Sequence, residues 1–272
     1  MRQNAFTMLR LALILLSLCS FACTNYGARM DRYANDAGLW RHVITGDGYR
    51  HVIYMKTAPA AESKRLLVFF EGDGRPWIHG GREPATDPTT RNPLALQLLA
   101  RTNAAGIYVS RPCYQEMMDA ACTNEAWTGG RYSAEVVASL IAAIESIMRD
   151  SGAHEIIFIG YSGGGTLAVL AAERMQHVAG VVTIGANLDI DAWTRHHGYL
   201  PLSTSLNPAA SHYPHPWPEL HLIGGRDTIV PSTTRIAYFE RYPSAKQRVF
   251  DEFDHVCCWV EEWGKIAKEV TQ

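Results

Sequence analysis

The sequence predicts an α/β architecture, a mostly parallel central sheet with helices on both faces, and three observations predict it. Leu66-Leu-Val-Phe-Phe70 and Ile156-Ile-Phe-Ile159 are continuous apolar runs, each leading into a glycine-rich turn, as strands buried on both faces do. From residue 66 onward, strand-type and helix-type segments alternate, the order that builds parallel sheets. The 272 residues are 47% hydrophobic and 19% charged, enough for one large domain with a substantial core.

The elements follow in order. His42–Thr45 and Tyr49–Met55 flank Gly46-Asp47-Gly48, a hairpin turn, so the sheet opens on an antiparallel pair. After strand Leu66–Phe70, a helix is expected over 93–102, with Pro93 after Asn92, and a strand over Ala105–Ser110. Residues 111–131 read as a loop. Ser133 then caps an amphipathic helix to about Met148, whose apolar face is Val136, Val137, Leu140, Ile141, Ile144 and Ile147. Strand Ile156–Ile159 runs through Gly160-Tyr-Ser-Gly-Gly164 into a helix from Thr166 to about Met175, and Val178–Ile184 is the next strand. Residues 191–217 are rich in His, Pro, Trp and Tyr without a clear period and read as a lid or cap loop. Strand Leu220–Ile223, helix Thr233–Tyr242, strand Gln247–Phe250 and a helix around Trp259–Val270 complete the domain, taken as residues 39–272.

The formal net charge is -2 with no basic block, which gives no reason to expect a nucleic-acid partner. Residues 1–22 read as an export signal: Arg2 and Arg10 precede or open a twelve-residue apolar run from Leu11 to Ala22. Such a run is short for a permanent membrane span, which needs about 20 residues. Cys23, directly after Ala22, resembles the lipidated cysteine of bacterial lipoproteins, so a lipid anchor to a membrane is one expected outcome of processing. Cleavage by an ordinary signal peptidase after Ser20-Phe21-Ala22 is the other. Residues 23–38 would then be a polar tether. An exported chain meets an oxidising compartment, where Cys113 and Cys122 are the easiest pair to join. The adjacent Cys257 and Cys258 could form a vicinal disulfide or remain reduced.

The chemistry centres on Gly160-Tyr161-Ser162-Gly163-Gly164, a G-x-S-x-G pattern placed between a buried strand and a helix. There a serine sits on a sharp turn and the glycines admit close neighbouring backbone. With this motif in this context the chain resembles the α/β-hydrolase family, over roughly residues 40–270. The resemblance implies the chain order serine, acid, histidine. Asp227, in Gly224-Gly-Arg-Asp227 after strand Leu220–Ile223, stands where many members place the acid. Asp189, after strand Val178–Ile184, is the alternative, since some members carry the acid one strand earlier. His255 follows the last strand, where the family places its histidine. It would relay the Ser162 proton to the leaving group while the acid orients the imidazole. The resemblance also implies an oxyanion hole from the N–H groups of Gly163 and Asp73. The sequence departs from the family pattern there, with Glu71 where His is common and Asp73 where a small or apolar residue is common. An acidic side chain suits that position only if it turns away, toward Arg75 or Arg111.

These readings imply a serine hydrolase, an esterase for small or medium acyl groups, working without a cofactor in a bacterial periplasm or as a membrane-anchored lipoprotein. Thioesterase, peptidase and acyltransferase chemistry use the same residues, and a non-catalytic envelope lipoprotein is the rival from another class. The Cys113–Cys122 loop, framed by Arg111, Trp127 and Arg131, should form part of the pocket wall, because strand C-termini in such sheets border the binding crevice. Trp77, Trp127 and Trp193 are candidates to line it. His196, His197, His212 and His215 share the lid, but no regular element fixes their spacing, and no metal site is expected.

Overall fold

The computed structural model describes residues 25–56 and 64–270. The export segment and Cys23 lie outside those residues. The chain begins with helix α1 (Tyr26–Asp36), followed by strands β1 (Trp40–Thr45), β2 (Arg50–Met55) and β3 (Arg65–Phe70). A two-residue hairpin, β4 (Trp77–Ile78) and β5 (Glu83–Pro84), precedes α2 (Leu94–Arg101) and β6 (Gly106–Val109). Then come α3 (Ala134–Ser151), β7 (Glu155–Tyr161), α4 (Gly163–Ala172), β8 (Val178–Ile184) and α5 (Ile190–His197). Strand β9 (Glu219–Gly224), helix α6 (Ile236–Arg241), strand β10 (Lys246–Phe250) and helix α7 (Trp259–Val270) end the domain.

Eight strands form one sheet in the order β1-β2-β6-β3-β7-β8-β9-β10. The β1–β2 and β2–β6 pairs are antiparallel and every other pair is parallel. The register aligns the strand ends: Phe70 lies opposite both Val109 and Gly160, Tyr161 opposite Ile184, Ile184 opposite Leu222, and Gly224 opposite Phe250. The segments that follow β3, β6, β7, β8, β9 and β10 therefore gather along one edge, and the candidate site lies there.

Side-chain alternation splits the core between the two faces. Val68, Phe70 and Phe158 pack with Val136, Leu140 and Ile144 of α3 and with α4, whereas Leu67, Phe69 and Ile159 pack with α1, α2 and α7. Helix α4 is buried along its whole length, so its sequence has no polar face to read. Helix α3 has the expected amphipathic form: Ser133 accepts a bond from the Val136 N–H, and Gly152 takes a left-handed conformation (φ 70°) after the last turn. On the opposite face Trp259 and Trp263 are fully buried, and the Trp263 indole donates to the Thr102 hydroxyl at 2.8 Å.

Two expectations are corrected. Residues 23–38 are not simply a tether, because Asn25 caps α1 through the Ala28 N–H and the helix buries Met30 and Ala34 in the core. Residues 191–217 are not an irregular loop throughout. Helix α5 occupies their start, with Asp189 accepting from the Asp191 and Ala192 N–H groups at 3.1 and 3.0 Å. Leu202 and Ala209 then enter the core beside α3 and α4, so this cover is a packed part of the domain.

Candidate active site

Strand β7 ends at Tyr161 and α4 begins at Gly163, leaving Ser162 alone on the turn. Its backbone is at φ 53°, ψ -125°, a conformation rare for a residue with a Cβ and costly unless the surroundings impose it. They do: the Ser162 N–H donates to the Ile184 carbonyl at 2.8 Å, and the Ser162 carbonyl accepts from the Gly165 N–H at 2.9 Å. A Cβ at Gly160 would stand 2.2 Å from the Gly164 carbonyl oxygen, so strand and helix pass too closely for any other residue.

The structure brings the three residues expected from different strand ends into one line. His255 Nε2 lies 3.0 Å from Ser162 Oγ, and His255 Nδ1 lies 2.8 Å from Asp227 Oδ2. The buried carboxylate takes the Nδ1–H, which leaves Nε2 free to accept from the serine hydroxyl. Asp227 is itself fixed, because its other oxygen accepts from the Ile229 and Val230 N–H groups at 2.9 and 2.8 Å. The Trp259 indole donates to the His255 carbonyl at 3.2 Å, and the Tyr161 ring stands 5.1 Å from the imidazole. Asp189, the alternative acid, is occupied at the N-terminus of α5 and by Asn207, whose amide donates to it at 3.0 Å. Asp254 turns its carboxylate to the Val256 and Cys257 N–H groups, both at 2.7 Å.

Solved structures with this arrangement of sheet and helices include an esterase from Pyrococcus furiosus, with a TM-score of 0.61 and 15% identity over 88% of this chain and 93% of that one. An α/β serine hydrolase homologue from Coxiella burnetii gives 0.57 and 14% over 85% and 95%. Est1E from Butyrivibrio proteoclasticus gives 0.56 and 14% over 85% and 97%. The chain has the α/β-hydrolase fold. No protein-family model matches the sequence, and no curated protein sequence matches it.

Within this α/β-hydrolase fold the loop after β3 lies against the serine turn, since a Cβ at Gly72 would stand 3.3 Å from Ser162 Cβ. The Asp73 side chain points to Arg111 as the sequence allowed, and not to Arg75. Arg111 Nη2 lies 2.8 Å from Oδ1, Arg131 Nη1 lies 3.1 Å from Oδ2, and the Tyr132 hydroxyl donates to both oxygens at 2.6 and 2.8 Å. Arg131 and Tyr132 were not foreseen as partners. Burial pushes the Asp73 carboxyl up, but Arg131, Arg111 and Tyr132 together outweigh it and hold the group below its ordinary value. The carboxylate also lies over the start of α4: a Cβ at Gly163 would stand 1.9 Å from Asp73 Oδ1. Glu71 is buried behind the loop, accepting from the Gly72 N–H and from the Ala95 N–H at the start of α2, both at 3.1 Å. Burial raises its carboxyl to about 8 against these bonds.

Cys113 and Cys122 are joined in a disulfide, and the Tyr114 hydroxyl beside it donates to the Asp73 carbonyl at 2.8 Å. Cys257 and Cys258 are joined as neighbours. Trp127 is buried with Cys113 and Tyr114 in a small cluster of its own, and Trp77 belongs to the β4–β5 hairpin. Trp193 on α5 reaches the acid loop, donating from its indole to the Ile229 carbonyl at 2.8 Å, as His197 does at 2.9 Å. His215 faces the other way, its ring nitrogens 3.2 Å from Glu173 and 2.6 Å from Glu219. Among the described residues no group of histidine, cysteine and carboxylate side chains could hold a metal ion.

Proposed function

We propose that this protein is a serine hydrolase that cleaves small or medium acyl esters through an acyl-enzyme on Ser162. The observation that carries the reading is the continuous line from Ser162 Oγ through His255 to Asp227, at 3.0 and 2.8 Å. His255 takes the proton from Ser162 as Oγ attacks the acyl carbon, and returns it to the departing alkoxide, which leaves as the alcohol. A water then repeats the sequence on the acyl-enzyme, releasing the acid and restoring the serine. Asp227 holds the imidazole tautomer and steadies its positive charge. The N–H groups of Gly163 and Asp73 receive the oxyanion. The esterase from Pyrococcus furiosus among the fold's solved structures supports the ester preference.

The proposed location is the bacterial envelope, with the export segment of residues 1–22 removed and Cys23 lipidated to anchor the enzyme on a membrane. The Cys113–Cys122 disulfide supports an oxidising compartment. Assay of the purified protein on acyl esters of graded chain length, thioesters and peptides tests the reaction. Short and medium esters are expected to turn over best, with His255→Ala losing that activity; folded protein inert toward every ester would overturn the reading.

A further inference from the structure

The charged cluster around Asp73 does more than turn a carboxylate away from the nucleophile. Several polar groups of the loop 71–73 have a partner. The Gly72 N–H is held by Glu71, the Gly72 carbonyl by Arg111 Nε at 3.2 Å, and the Asp73 carbonyl by the Tyr114 hydroxyl at 2.8 Å. The Asp73 carboxylate is held by Arg111, Arg131 and Tyr132. The Asp73 N–H has no acceptor among the described residues.

The planarity of the peptide unit makes that pattern directional. In a trans peptide the carbonyl and the following N–H point in opposite directions. Arg111 grips the Gly72 carbonyl, so the Asp73 N–H is turned to the other side of the loop. The loop meets the nucleophile turn through Gly72, where a Cβ would stand 3.3 Å from Ser162 Cβ. We propose that Arg111 is the positioning residue of the oxyanion hole: one guanidinium fixes both the Gly72–Asp73 peptide plane and the Asp73 side chain, and so aims the Asp73 N–H at the oxygen of the reacting carbonyl.

Arg111 is suited to this and a lysine is not. Its Nε, Nη2 and Nη1 are spent on three different acceptors, the Gly72 carbonyl, Asp73 Oδ1 and the Arg131 carbonyl at 3.3 Å. It is 3% exposed. Burial lowers its affinity for the proton, but Asp73 raises it by more, so the guanidinium keeps its charge inside the fold. The third contact links the hole to residue 131, just before the cap of α3, and so to Arg131, the second guanidinium on Asp73. An acidic residue in the loop, unexpected for the family, is thereby the handle through which the loop is held.

The inference rests on the serine-hydrolase reading, and the test separates the two. Arg111→Met, Arg111→Lys and Tyr114→Phe would be compared with the wild type on one ester substrate, with a fluorophosphonate, and with a trifluoromethyl ketone that forms a tetrahedral adduct. Losing one oxyanion donor lowers turnover by about 10²–10³. Arg111→Met is expected to lower kcat by about a hundredfold with KM changed less than threefold. The ketone inhibition constant should rise by the same factor, while the pH profile of kcat/KM stays in place. Arg111→Lys should lie between the two, and Tyr114→Phe should show a smaller loss of the same kind. Labelling by the fluorophosphonate should be slowed yet still reach one adduct per chain, which shows the variant folded. Should Arg111→Met fail to fold, the other two variants decide. Turnover within a few-fold of wild type at full labelling would overturn the proposal, as would a loss confined to KM with ketone affinity unchanged. A wild type that neither labels nor hydrolyses would overturn the hydrolase reading, and this inference with it.

Discussion

At the scale of single residues, two aspartates that look alike in sequence do different work. Asp189 and Asp227 each follow a strand of the sheet, and no local pattern separates them. Both accept from N–H groups two and three residues on; the difference is that Asp227 also meets His255, 28 residues away, whereas Asp189 caps α5 and is bonded by Asn207. Asp227→Asn should therefore lower kcat by about 10⁴, the scale of loss when a triad histidine is left in the wrong tautomer. Asp189→Ala should leave kcat within a few-fold and lower stability by about 0.5–2 kcal/mol, the usual cost of a lost cap. Steady-state kinetics and urea unfolding on both variants check the pair, and the opposite ranking would return the acid to Asp189. Ser162 and His255 were legible because strand, turn and strand end are local patterns. Arg131 and Tyr132 were not, because their contacts with Asp73 span nearly 60 residues and leave no spacing to read.

At the scale of elements, most of the sheet and its covering helices follow from apolar runs, glycine turns and one amphipathic period. Helix α1 was missed because Arg29, Asp31, Arg32 and Asn35 make the segment look polar. Its buried apolar side chains are Met30 and Ala34, four residues apart on the inner side, behind the cap Asn25. Met30 also receives a bond from the Gln115 amide at 3.4 Å, and Gln115 bonds the Tyr54 hydroxyl, so α1 is tied to the segment after β6 and to β2. Met30→Ala should thus cost about 2–5 kcal/mol in urea unfolding, as core truncations do. A tether would predict no change. Helix α5 was missed for a different reason: it is short, ends in His196 and His197, and owes its order to Asp189, Asn207 and the Ile229 carbonyl rather than to an apolar stripe.

At the scale of the whole molecule, acid stability and catalysis have separate origins. His51 is fully buried where β2 meets the end of β6 and α3, its ring nitrogens 2.9 Å from the Ser110 carbonyl and 2.8 Å from the Ser139 hydroxyl. Burial pushes it from 6.5 to about 4, against the Ser110 bond and the Asp119 charge. The unfolded chain therefore binds the proton first as pH falls. The stability linked to His51 is complete above pH 6.5 and is lost on the way down to about pH 4, a total on the order of 3 kcal/mol. Glu71 acts in the opposite sense: raised from 4.5 to about 8, it costs stability as pH rises through that interval. The difference in unfolding free energy between wild type and His51→Asn should accordingly grow as pH is raised from 4 to 6.5; a constant difference would place the acid sensitivity elsewhere. The claim on which the rest depends is that Ser162 is a nucleophile activated by His255 and Asp227, and treating the folded protein with a fluorophosphonate and mapping the adduct by peptide mass spectrometry tests it most directly. One adduct per chain is expected on Ser162, absent from Ser162→Ala of unchanged melting temperature; an unlabelled wild type, or a Ser162→Ala variant that still labels, would rule out Ser162 as the nucleophile.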